Sequence, residues 1–160
     1  MKKILLLLFV ATSVFGIIGC LKNDDDYKPC VAKTLEEDMP AMTKFATDSA
    51  ISTMQDASGL LYQIIDPGTG ASPTSNSTVT AKYVGRTLDG KGFDSSYVRD
   101  PGGTQFQLNG VIEGWTIGIP KIKEGGKIKL IIPSSLAYGC AYHPLQNQSL
   151  YFYIELVKVH

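Results

Sequence analysis

The sequence predicts an α+β fold in which an antiparallel sheet packs on one short helix, preceded by an amphipathic helix. Three observations predict it. From Ser58 onward, short apolar or alternating runs are separated by Gly, Pro and Asp, as strands and their turns require. Residues 111–119 alone interrupt that pattern as a short helix, and they carry the single tryptophan, Trp115. A sheet with one apolar face needs a cover, and this helix supplies it. Residues 35–49 show apolar spacing of helical period instead.

The chain has 160 residues, 44% hydrophobic and 19% charged, which allows one modest domain with extensions. Residues 1–19 read as a lipoprotein signal peptide. Lys2 and Lys3 form a positive start, and residues 4–18 are uncharged and apolar. That run is too short and too terminal for a spanning helix. The order Ile17, Ile18, Gly19, Cys20 resembles the lipobox of bacterial lipoproteins. The resemblance implies lipidation of Cys20 and anchorage to a membrane of the bacterial cell envelope. The outer membrane is the expected one, with the protein on its periplasmic or surface side.

Residues 20–34 read as a polar tether, with acids at Asp24, Asp25 and Asp26. Loss of Lys2 and Lys3 with the leader leaves 13 basic against 15 acidic residues, a net charge of −2. No basic stripe is present, so nucleic acid is not an expected partner.

Lipidation of Cys20 leaves Cys30 and Cys140. An oxidising compartment permits a disulfide between them, which would pin the tether to a loop of the folded domain. Two free thiols are the alternative. Two Cys and two His at these spacings do not make a metal site, so no metal is expected.

Thr34 and Glu37 have the spacing of a capping box. Met39, Met42, Phe45 and Ala46 then recur at helical spacing, with Pro40 near the first turn. Residues 35–57 therefore form a helix and linker. The helix is short for a dimerisation stalk, so a monomer is expected. Residues 60–65 form a strand stopped by Asp66, Pro67 and Gly68, and residues 71–77 form a polar loop. Residues 79–88 alternate and end at Asp89-Gly90, a hairpin-turn pair. Phe93 and Asp94 follow, then short strands at 106–108 and 127–132. Residues 150–159 are the longest strand.

Several segments together resemble the FKBP-type prolyl isomerases. The first runs from Val79 through Tyr83, Gly85 and Arg86 to Asp89, Gly90, Phe93, Asp94, Ser95 and Ser96. The second holds Phe106, Leu108, Val111, Ile112, Gly114 and Trp115. The third holds Ile131, Pro133, Ala137, Tyr138 and Gly139, and the last Phe152, Glu155 and Leu156. One such motif would be weak, but the ordered set is specific. The resemblance spans residues 58–160 and implies a half-barrel, a curved antiparallel sheet wrapped around one short helix. It also implies peptidyl-prolyl cis/trans isomerase activity on proline-containing polypeptides, with no cofactor, and a pocket that takes macrolides of the rapamycin class.

By the same resemblance, Tyr83, Phe93, Val111, Ile112, Trp115 and Phe152 are pocket walls and floor. Trp115 lies under the proline ring. Ile112 offers its N–H, and Tyr138 its hydroxyl, to substrate carbonyls. Asp94 sits near the carbonyl of the reacting imide. Leu145 and His143 are expected at the substrate-binding rim. These residue types suit the reaction. The imide is planar by resonance, with a rotation barrier of about 18–20 kcal/mol, and no covalent bond needs to break. The twisted form is less dipolar than the planar one, so a dry aromatic pocket favours it.

Two departures stand out. Thr104 occupies a position that is often aromatic in the family, and the loop at 139–149 is short. They leave a second reading beside the enzyme: a catalytically weak chaperone or partner-binding lipoprotein of the same fold.

Overall fold

The computed structural model describes residues 29–160. The expected signal peptide at 1–19, Cys20 and the tether up to residue 28 lie outside the described residues.

Helix α1 (Leu35–Asp48) begins where Thr34 and Glu37 exchange hydrogen bonds. The Thr34 N–H donates to Glu37 at 2.7 Å, and the Glu37 N–H donates to the Thr34 hydroxyl at 3.2 Å. Pro40 falls in the second turn, later than the sequence placed it. It is exposed there, as is Glu36, whose carbonyl would have accepted the missing N–H. That carbonyl lies on the solvent side, where losing one backbone partner costs little, so the helix continues.

The strands are β1 (Met54–Gln55), β2 (Leu61–Asp66), β3 (Thr78–Thr87), β4 (Gly92–Ser95), β5 (Thr104–Gln107), β6 (Lys127–Ile132) and β7 (Leu150–Val159). They form one antiparallel sheet in the order β1-β2-β6-β7-β3-β4, and β5 also pairs with β3. Strand β4 takes the 84–86 end of β3 and β5 takes the 78–81 end. One helical turn, α2 (Ser96–Arg99), lies between them. Helix α3 (Glu113–Gly118) fills the concave face and starts two residues later than expected. Leu108, expected to end β5, instead opens a 3-10 turn.

Strand periodicity decides what each face buries. Val79, Ala81 and Tyr83 of β3, Ile128, Leu130 and Ile132 of β6, and Phe152, Ile154 and Leu156 of β7 pack with Trp115 and Ile119. Gly114 and Gly118 let α3 approach β6 closely. A Cβ at Gly114 would lie 2.4 Å from Ile132 Cγ2, and one at Gly118 2.7 Å from Leu130 Cδ1. The opposite face carries a second apolar cluster in which Leu61 and Ile131 meet Met42 and Ala46 of α1. Phe45 tilts against Tyr151 at 5.2 Å. Residues 35–57 are therefore part of the folded body, and β1 extends its sheet. Cys30 and Cys140 are joined by a disulfide.

Asp56 closes the turn before β2. It accepts from Lys121 Nζ at 2.6 Å and from the Ser58 N–H at 2.9 Å. These bonds, the Lys121 one first, lower its pKa to about 2. A lowered carboxylate pKa contributes stability above the unfolded value, about 3.9, which is lost as pH falls through the folded value. Asp56→Asn is expected to cost about 1 kcal/mol at pH 7. The difference from the parent should vanish between about pH 4 and pH 2, and denaturant melts across that range check it.

Candidate active site

Strands β3, β4 and β7, helix α3 and the loop after β6 converge on one cleft. Its volume is about 670 Å³, within the range of small-ligand sites. Tyr83, Phe93, Val111, Ile112, Trp115, Tyr138 and Phe152 all line it, as does Asp94. The family resemblance thus named eight residues that the fold brings together. Trp115 is 5% exposed and is boxed by three rings. Tyr83 lies at 4.9 Å and Phe152 at 5.0 Å, both edge-on, and Phe106 at 5.2 Å. Phe93 meets Phe152 edge-on at 5.5 Å. Such contacts fix ring orientation beyond simple area burial.

Gly85 makes this packing feasible. It pairs with Asp94 on one side and Phe152 on the other. A Cβ there would lie 2.7 Å from the Phe152 ring and 2.8 Å from Phe93.

One edge of the cleft is polar and tightly paired. The Tyr83 hydroxyl donates to Asp94 Oδ2 at 2.6 Å. Arg99 donates through one nitrogen to Asp94 Oδ1 at 3.1 Å and through another to the Tyr83 oxygen at 2.8 Å. Both carboxylate oxygens are thus engaged. Burial alone would raise the Asp94 pKa, but the Tyr83 and Arg99 bonds outweigh it and hold the group below its ordinary value. Burial, and then the bond to Asp94, raises the Tyr83 pKa.

Sequence reasoning missed Arg99. It arrives on α2, which is anchored by the Ser96 hydroxyl accepting the Tyr83 N–H at 2.9 Å. The five-residue separation of Asp94 and Arg99 matches neither strand nor helix pairing, so nothing local announced the contact. Phe106 was read as part of a strand rather than as a wall.

Other donors at the rim are unengaged among the described residues. The Ile112 N–H, at the start of α3, makes no backbone hydrogen bond among the described residues. Burial raises the Tyr138 pKa, with the Asp94 charge adding to it, and no hydrogen bond contributes. The buried Trp115 Nε1 also lacks a partner among the described residues.

Thr104 lines the cleft where an aromatic was expected from the family, and its hydroxyl donates to Asp100 at 2.6 Å. His143 and Leu145 do not line the cleft. They face a neighbouring hollow that shares only Phe93, Asp94 and Tyr138 with it. His143 still touches the site indirectly, by stacking on Tyr138 at 3.6 Å. Tyr142 points fully into solvent. Among the described residues, no three His, Cys, Asp or Glu side chains are grouped to hold a metal.

The frame and the cleft define a class: a half-barrel α+β domain whose aromatic slot, floored by tryptophan, carries unengaged hydrogen-bond donors at its rim. The chain belongs to the FKBP-type peptidyl-prolyl cis-trans isomerase family, whose sequence profile matches residues 70–157. It is 46% identical over 119 residues to FKBP-type peptidyl-prolyl cis-trans isomerase FkpA of Escherichia coli K12, covering 72% of this chain and 43% of that protein. It is 40% identical over 106 residues to peptidyl-prolyl cis-trans isomerase Mip of Coxiella burnetii, covering 64% and 46% respectively. A crystal structure of a peptidyl-prolyl cis-trans isomerase from Pseudomonas syringae superposes with a TM-score of 0.64 at 33% identity, covering 81% of this chain and 98% of that one. The chain thus spans less than half the length of the two curated relatives.

Proposed function

We propose that this chain catalyses cis/trans isomerisation of Xaa-Pro bonds in polypeptides of the bacterial envelope. The observation that carries this reading is the open aromatic cleft with Trp115 at its floor and two unengaged donors, Ile112 N–H and Tyr138 O–H, at its rim. A prolyl ring enters over the indole, between Tyr83, Phe93 and Phe152. Ile112 and Tyr138 hold the flanking carbonyls. The slot excludes water from the imide and favours its twisted, less dipolar form. Lowering the barrier by about 7 kcal/mol would speed rotation by about 10⁵-fold. Arg99 and Tyr83 keep Asp94 ionised and oriented, so it acts on the site's field and accepts no proton from substrate.

A protease-coupled assay on short Xaa-Pro peptides tests this. Parent activity should be inhibited by a macrolide of the rapamycin class that quenches or shifts Trp115 fluorescence. Tyr138→Phe is expected to lower kcat/KM about fivefold, the loss of one hydrogen bond of about 1 kcal/mol. Background turnover, together with strong suppression of a client's aggregation, would instead favour a holding chaperone.

Lipid on Cys20 supplies the location in this reading. Cys30 follows Cys20 by ten Cα-to-Cα steps, so the disulfide stays within about 35 Å of the anchor. In cell fractionation Cys20→Ser should move the protein from the membrane to the soluble fraction. Retention at the membrane would rule the anchor out.

A further inference from the structure

Residues 30–38, the segment before α1 and its first turn, lie outside the residues matched by the family profile, yet they are fastened to the loop that carries Tyr138. Three separate ties do this. The Cys30–Cys140 disulfide bridges 110 residues of sequence and lands two residues from Tyr138. The Asn147 side chain donates to the Val31 carbonyl at 2.7 Å and to Cys30 Sγ at 3.1 Å, and its oxygen accepts from the Lys33 N–H at 3.4 Å. Asp38, 3% exposed on α1, accepts the Ser134 N–H at 2.7 Å.

The far ends of these ties sit at the pivots of the loop. Ser134 accepts through its carbonyl from the N–H groups of Ala137 and Gly139, and so frames the turn on either side of Tyr138. The Asn147 N–H donates to the Gly139 carbonyl at 2.7 Å and closes the loop at its base. Asn147 holds a left-handed backbone, with φ of 52°, which asparagine tolerates better than most residues. Its backbone thus shuts the loop while its side chain grips the strap. Leu136, Ala137, Tyr138 and Leu145 give the loop an apolar footing on the core, and the strap adds fixed polar ties at either side of Tyr138. Tyr138 in turn carries the stacked His143.

From this juxtaposition we infer that residues 30–38 are a strap that positions the active-site loop, with Asn147, Asp38 and the Cys30–Cys140 bridge as positioning residues for Tyr138. The inference deepens the isomerase reading and rests on it for its kinetic consequence. Without the strap the cleft floor survives, since Trp115 and the β3–β7 pairing owe nothing to it. What changes is the placement of the Tyr138 hydroxyl. The loss should therefore appear mainly in KM.

The full chain as exported is compared in three states: oxidised, reduced under native conditions, and carrying Asn147→Ala with the bridge intact. A water-soluble phosphine performs the reduction. It takes up one oxygen from water as phosphine oxide, and the two sulfurs become thiols. In the second and third states KM for a short Xaa-Pro peptide should rise about fivefold, with kcat changed less than twofold. Tyr138→Phe, costly in the oxidised parent, should cost less than twofold in both, because a misplaced hydroxyl has little left to lose. Asp38→Asn, which keeps an oxygen acceptor for Ser134, should match the parent where Asp38→Ala does not. Amide exchange at Gly139 and Asn147 should quicken at least tenfold, while amides of β6 and β7 stay as slow as in the parent. That readout needs no activity, so an inactive parent that shows it would refute the isomerase proposal and leave the strap standing. Unchanged exchange at Gly139 and Asn147, or a Tyr138→Phe penalty equal in all three states, would overturn the strap.

Discussion

Trp115→Ala is expected to cost about 4 kcal/mol of stability and to reduce isomerase activity to background. The indole is 5% exposed and fills the space between α3 and the sheet. Its removal takes away contacts with Tyr83, Phe106 and Phe152 together. The cavity left behind cannot close easily. Gly114 and Gly118 already bring α3 against Ile132 and Leu130, so the helix has no room to settle further. A small domain has a margin of about 5–15 kcal/mol, so the variant should fold but melt markedly earlier. Trp115→Phe separates the two effects. It keeps an aromatic floor and should recover most of the stability, while the smaller ring leaves a looser slot and activity well below the parent. Denaturant melts and peptide turnover on the same samples check both. Full turnover by a folded Trp115→Ala chain would mean that the proline ring binds elsewhere.

The fold was legible from Ser58 onward because each strand carries its own signal. Period-2 burial on β3 and β7, and the Asp89-Gly90 turn, are local features that set register and reversal together. The cleft was legible for a related reason. The resemblance to the FKBP-type isomerases named its residues in order along those same strands, and the walls it named pack around the single tryptophan as part of the core. What escaped were contacts made across sequence by polar groups. Arg99 reaches Tyr83 and Asp94 from a one-turn helix that has no periodicity to detect. Asn147 and Asp38 bind partners 116 and 96 residues away. A two-residue strand such as β1 falls below any pattern window. His143 and Leu145 were set at the rim by resemblance, but the short loop carries them into the adjoining hollow.

Asp94→Ala is expected to lower kcat/KM about thirtyfold with little change in melting temperature. The carboxylate is more than a third exposed, so deleting it leaves no buried void. Its absence frees the Tyr83 proton, and Arg99 loses its bond to Oδ1, keeping its contacts with the Tyr83 oxygen at 2.8 Å and with Asp100 at 3.5 Å. Two charge-assisted bonds that hold one wall of the slot are gone, and about 2 kcal/mol of preorganisation goes with them. Thirtyfold is that energy expressed as a rate. Asp94→Asn should fall between, since it keeps an acceptor for Tyr83 without the charge. The penalty should persist at pH 5, because Tyr83 and Arg99 hold the Asp94 pKa below its ordinary value and the parent is still ionised there. If the group instead served as a proton donor, activity would rise as pH fell towards that pKa. A double-mutant cycle with Arg99→Ala decides how the wall works. Tyr83, Asp94 and Arg99 acting as one unit make the second substitution nearly silent after the first, whereas additive losses would assign Asp94 a direct effect on the imide.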